Sequence, residues 1–293
     1  MERAMRVKWI GWIVTALLAG SSLLAQAEAR FERTLNVSAH AELHVMNGAG
    51  DVHLRRGAGN QIHIIGIVKP GCGWFGRSNS STDEQIHAIV QNPPIEQMGD
   101  LVTVGAHLHN LHCISIDYQI DAPAGVMLEL NSGSGDVTDD GVGTHARMRT
   151  GSGNIHASGL EGGFSVSTGS GDIVATASGS GEVRADTGSG NIDLSGVFGG
   201  LHASTGSGNL HLAGTPSAGW YVTTGSGDVE LKLGVASYDV DAHTGSGDIH
   251  FDGATSGATM TEVQSTHHSF HAKVRGGGPT LEVHTGSGNV RIL

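Results

Sequence analysis

The chain is 293 residues long, with 47 glycines, 4% aromatic residues, 15% charged residues and a formal charge of -12. Such an acidic balance lacks the basic footprint that phosphate binding needs, which argues against nucleic acid as a partner. An apolar content of 38% argues against wholesale disorder, and scarce rings with abundant glycine predict a narrow aliphatic core joined by many turns.

Arg3, Arg6 and Lys8 precede an apolar run over residues 9–18, and small residues then lead to two cleavage boxes, Ala25-Gln26-Ala27 and Ala27-Glu28-Ala29. The pattern predicts a secretory signal peptide over residues 1–29, since the run is short for a bilayer span of about 20 residues. No second apolar span follows. The mature chain is therefore expected to be extracytoplasmic, in the periplasm, at the cell surface or secreted, with no membrane span. Cys72 and Cys113 are the only cysteines and lack CxxC spacing, so in an oxidising compartment they are the disulfide candidate.

Residues 31–68 alternate in strand fashion at Leu35/Val37, Leu43/Val45, Val52/Leu54 and Ile62/Ile64. Residues 70–81 read as a loop. Thr82 is placed to cap a short helix, with Asp83 and Glu84 in its first turn, Ile86, Ile89 and Val90 on one face, and Asn92-Pro93 as its stop. Strands resume over residues 101–106 and 114–120. Residues 30–125 thus form a less regular β region with one helix, expected to cap a repetitive array over residues 126–293.

The array repeats one phrase, Thr-Gly-Ser-Gly-Asp/Asn plus an aliphatic residue, at Thr150, Thr168, Thr187, Thr205, Thr224, Thr244 and Thr285, with a variant at Ser132 and worn copies at Asn47 and Gly57. Its glycines recur in steps of 18, 18, 19, 18, 19, 20 and 41 residues, the signature of a repeat architecture. Apolar residues flank each copy at fixed offsets, as in Phe164 and Val166 before it and Ile173 and Ala175 after it. Each repeat reads as strand, Gly-Ser-Gly turn, strand and second turn, the second turns falling at glycines such as 196–200 and 214–219. The 41-residue step implies one coil that has lost its glycines at residues 265–270, with Val263 and Phe270 inward.

A parallel β-solenoid and an antiparallel meander both fit this list. The near-constant period favours the solenoid, right-handed by the crossover rule, with coils of about 18–20 residues. Stacking would align Asp193, His211, Glu230, His250, His271 and Arg291 in one outward column and predicts a stability gain on protonating His211 and His250.

The TGSGDI phrases, the segment ISIDYQIDAPAGVMLEL and the opening LHVMNGAGDVHL resemble the bacterial DUF4097 family of candidate adhesins. The resemblance implies a secreted or surface β-solenoid without established enzymatic activity, and it brings no catalytic residues. The insertion over residues 72–81 and the histidine-rich stretches depart from it.

Repetition itself speaks against chemistry in the phrase. No Gly-Lys pair follows the glycines, as a phosphate loop would need, and the serine lies in a β-turn rather than a nucleophile elbow. No catalytic or cofactor-binding residue and no cofactor emerge. The metal candidates are His107, His109, His267 and His268. The function expected is an exported, non-enzymatic adhesin or envelope-associated module whose partner is a cell-envelope component, a glycan or a surface protein. The alternatives are a carbohydrate-active β-helix enzyme and a calcium-stabilised β-roll.

Overall fold

A computed structural model describes residues 29–71, 80–106, 113–252 and 259–293; the leader, Cys72, His107 and His109 lie outside these. The described chain is all-β with one helix. In order it runs β1 (Ala29–Asn36), β2 (Glu42–Ala49), β3 (Val52–Arg56), β4 (Gln61–Pro70), α1 (Ser80–Gln91), β5 (Ile95–Met98), β6 (Leu101–Val104), β7 (Ile114–Ala122), β8 (Met127–Ser134) and β9 (Val137–Asp140). It continues through β10 (Arg147–Ser152), β11 (Ile155–Glu161), β12 (Phe164–Ser170), β13 (Ile173–Ser178), β14 (Val183–Ser189), β15 (Ile192–Ser207), β16 (Leu210–Ser226) and β17 (Val229–Leu233). It ends with β18 (Tyr238–Ser246), β19 (Ile249–Phe251), β20 (Met260–Ser265), β21 (Ser269–Val274), β22 (Thr280–Ser287) and β23 (Val290–Ile292).

Each phrase stacks on its own copy. Thr150 pairs with Ser132 on one side and Thr168 on the other, in parallel, and the strands after the turn do the same, Ile155 between Val137 and Ile173. Parallel neighbours exclude the antiparallel meander and give a solenoid-like stack with a ladder on each side of the Gly-Ser-Gly corner. The core is the space between the ladders. Both inward rows expected from the offsets are buried, with Ile249 and Phe251 at the last coil only partly covered. Trp220, the largest ring there, is fully buried and donates its indole N–H to Gly199 O at 2.8 Å, which removes the cost of an orphaned donor.

Two side-chain ladders hold the corners in register. The hydroxyl of each phrase threonine donates to a glycine carbonyl of the preceding coil, as in Thr168 to Gly153 O at 2.9 Å and Thr205 to Gly190 O at 3.0 Å. The Asp/Asn side chain accepts the backbone N–H of its counterpart one coil on. Asn154, Asn191 and Asn289 donate to Asp136, Asp172 and Asp228, each at 2.7 Å, while Asp172 and Asn209 donate to Asn154 and Asn191 at 2.9 Å. These three shorter bonds go to carboxylates, consistent with charge assistance, although Asp136 donates to the Asp51 carboxylate at 2.9 Å. The second glycine is compulsory: Gly208 has φ +156°, and a Cβ there would lie 1.9 Å from Gly190 O.

The order of coils in space differs from their order in the chain. β16 pairs with β22, not β18, and β22 then pairs with β18; likewise β17 pairs with β23 and β23 with β19. The coil of Thr285 is thus threaded between those of Thr224 and Thr244. Residues 265–270 do not form the glycine-free coil that was expected. The intervening chain instead forms an antiparallel hairpin, β20–β21, laid against the outer edge of β18. Thr266 makes its turn, its backbone N–H donating to Ser269 O at 2.8 Å and its Oγ1 accepting from Ser269 N at 3.0 Å. Phe270 is buried there, whereas Val263, expected inward, is 50% exposed.

The other end is capped similarly. β2 and β3, the worn copy at Asn47, form a full coil against β8 and β9. The chain between them and the leading strand β1 make the cap, in which β6 and β7 extend the two ladders while β5 and β4 pair with them antiparallel, β1 lying outside β4. Helix α1 packs on β1 and β4 through Ile86 and Ile89, and it begins at Ser80, so Thr82 lies within its first turn rather than at the cap. The second corners are less turn-like than expected: Val197, Phe198 and Gly199 pair with Gly214, Thr215 and Pro216, adding a short third ladder.

Candidate functional site

Side chains that point inward alternate with rows that point out, and the outward rows carry the polar chemistry. After the turn, one row runs Asp193, His211, Glu230, Arg291, His250. The threaded coil therefore puts Arg291, not His250, beside Glu230, and His271 lies elsewhere, opposite Asp241. Glu230 is held below the ordinary carboxylate range mainly by a hydrogen bond from Lys232, with His211 and Arg291 adding attraction.

Before the turn, two rows run side by side. One reads His44, Glu129, Arg147, Ser165, Arg184, His202, Tyr221, Glu282, Asp241; the other reads Asn131, Arg149, Ser167, Asp186, Ser204, Thr223, His284, His243. At one end of this face lies a groove of about 770 Å³. Leu128, Ala146 and Phe164 line it, and the glycine-rich second corners at Gly162-Gly163 and Ser180-Gly181 give it one wall with few side chains. Its rim carries Glu42, His44, Glu129, Arg147, Glu182 and Arg184. Arg184 is tied to Asp186 at 2.7 Å and His44 lies 3.8 Å from Glu42.

Further along, His243 and His284 stand on adjacent strands with rings stacked 5.4 Å apart at 7°. Each ring contacts a carboxylate two residues upstream, at 2.9 Å to Asp241 and 2.9 Å to Glu282. Sequence reasoning passed over this pair because a missing coil was expected between the two copies. The signal was nevertheless present: only the phrases at Thr244 and Thr285 are preceded by acid-x-His.

His267 and His268 stand at the exposed tip of the β20–β21 hairpin with ring centroids 6.5 Å apart. His268 Nδ1 lies 3.2 Å from Gly247 O. Among the described residues no group of three or more His, Cys, Asp and Glu converges as a metal-ligand set. Cys113, at φ +65°, is disulfide-bonded.

One buried carboxyl also escaped the sequence reading. Asp139 occupies the inward place filled by Leu54 and Ala157 in neighbouring coils and is fully buried. Its Oδ1 accepts the N–H of Val142 at 2.9 Å and its Oδ2 has no partner. Burial raises its pKa from 3.8 to about 7.

Ladders, corners and outward rows define a solenoid-like, all-β repeat protein with a long polar face. The family described as Toastrack DUF4097 matches residues 36–293, and the chain belongs to it. Among solved structures, a candidate adhesin from Bacteroides fragilis aligns at 11% identity over 90% of this chain and 97% of that one, with a TM-score of 0.46. A candidate adhesin from Parabacteroides distasonis aligns at 11% identity over 90% and 97%, with a TM-score of 0.36. A candidate lipid-binding protein from the same species aligns at 11% over 90% and 96%, with a TM-score of 0.28. Such likenesses carry no argument about activity. The comparison with curated proteins returns no match. No helix among the described residues is long and apolar enough to cross a membrane.

Proposed function

We propose that the chain is an exported, non-enzymatic binding module of the adhesin type, a right-handed parallel β-solenoid that holds a polar polymer of the cell envelope or a surface glycan along its outer face. Residues 1–29 serve as the leader, residues 30–125 as the capping region and residues 126–293 as the array, with Cys72 as the partner of Cys113. The observation that carries this reading is the groove, which five strands build in register and which sets Arg147 and Arg184 among Glu42, Glu129 and Glu182. Mixed charge on rigid strands suits a ligand bearing both hydroxyls and ionic groups, and extended repeat surfaces suit long ligands.

The calcium alternative is weakened by the Asp/Asn ladder, since from Asp136 onward carboxylates alternate with or are separated by amides and each Oδ1 in the ladder, up to Asn289, already accepts a backbone N–H. The test is a glycan and envelope-component screen on the mature chain, with and without calcium. Saturable binding to one class that R147E abolishes supports the module. Turnover of a polysaccharide, or binding indifferent to R147E, overturns it.

A further inference from the structure

The stacked pair His243 and His284 carries a site that the groove does not explain. β18 and β22 are parallel and in register, so Asp241 faces Glu282 and His243 faces His284. The two acid–imidazole pairs are therefore copies of one another, one strand spacing of about 4.8 Å apart. A carboxylate only accepts, so the Nε2 that lies 2.9 Å from Asp241 in one ring and from Glu282 in the other carries the proton. Both Nδ1 atoms are then lone-pair donors, and because the copies are related by translation they point the same way. The rings are about half exposed, 48% and 45%, so solvent reaches the pair.

We propose that His243 and His284 form a two-histidine clip for a borderline divalent transition-metal ion of the zinc, nickel or copper class. Imidazole is the ligand these ions favour. A carboxylate behind each ring is the outer-sphere arrangement that fixes tautomer and raises ligand basicity at histidine–metal sites. Nitrogens about 2.1 Å from a tetrahedral ion stand roughly 3.4 Å apart, a separation that rings stacked at 5.4 Å reach by tilting toward each other. Two nitrogens leave the remaining positions to water or to a carboxylate supplied by a bound partner. Thr223 and Ser269, which flank the pair in the row, are too small to block it.

The test is calorimetric titration of Zn²⁺ into the full chain without an affinity tag, at neutral pH, alongside NMR of the histidine rings. The expected result is a saturable event lost in H243Q and in H284Q, weakened about 10- to 100-fold in E282Q, and intact in the H267Q/H268Q double variant. Ring resonances of His243 and His284 should shift first. Melting in EDTA, expected to match wild type, checks that each variant folds; should H243Q or H284Q not fold, E282Q and the wild-type ring shifts decide. Absence of saturable binding, binding retained in both single variants, or first shifts at other histidines overturns the proposal.

Discussion

The middle of the array and its two ends solve the same problem differently. Between Thr150 and Thr224 every coil repeats its neighbour's hydrogen bonds, so one successful corner is copied and a defect meets an identical clash on each side. At the ends, β4, β5, β20 and β21 run antiparallel and close the ladders, hiding edges that would otherwise pair with other chains. Regularity gives the centre strength but no tolerance, whereas the caps trade repetition for freedom.

The sharpest test of that contrast is a pair of glycine substitutions. G208A forces a Cβ to within 1.9 Å of Gly190 O at φ +156°, while G59A at φ +75° meets nothing within 4 Å. Thermal or urea unfolding should show a loss of at least about 3 kcal/mol for the first and about 1 kcal/mol for the second. Equal losses would erase the distinction.

Next is Asp139, a departure from the repeat inside the array. Its pKa rises from 3.8 to about 7 on folding, so the native state holds the proton more tightly. Stability is therefore full below about pH 4 and falls as pH rises toward 7, by an amount on the order of 4 kcal/mol at most. Melting temperatures compared at pH 5 and pH 8 should fall for the wild type and stay nearly level for D139N. A D139N profile parallel to the wild type's would refute this account.

Smaller effects belong to the ladders. T205V removes the 3.0 Å bond to Gly190 O and should cost about 1 kcal/mol by urea titration, where an exposed cap threonine such as Thr34 should cost less. N289D puts a third acid between Asp228 and Asp248, which now stand apart. It should lower the melting temperature in low salt and lose most of that effect near 1 M salt.

Much of this is legible in the sequence. Offsets around the phrase identified the inward rows because stacking copies one environment many times, and the near-constant period favoured parallel over antiparallel neighbours, which the pairing bears out. What could not be read was coil order: Thr224, Thr244 and Thr285 have nearly the same corner, so local chemistry accepts either arrangement. The absent glycines at residues 265–270 were visible, but a missing corner and a hairpin cap look alike without the pairing. Asp139 escaped because the reading followed apolar residues and skipped the one place where they fail. The His243–His284 pair depended on coil order and fell with it.

The threaded coil also sets a problem for synthesis. β18 leaves the ribosome before β22, when the edge of β16 is still vacant, and its phrase offers that edge the same threonine and glycine contacts. Chain order thus favours a stack one coil short that must reopen to admit β22. The Asp/Asn ladder opposes the trap, since docking the coil of Thr244 directly on that of Thr224 sets Asp248 against Asp228, whereas Asn289 in the finished stack separates them. Amide and acid along this edge act as an address that tells nearly identical coils where to sit.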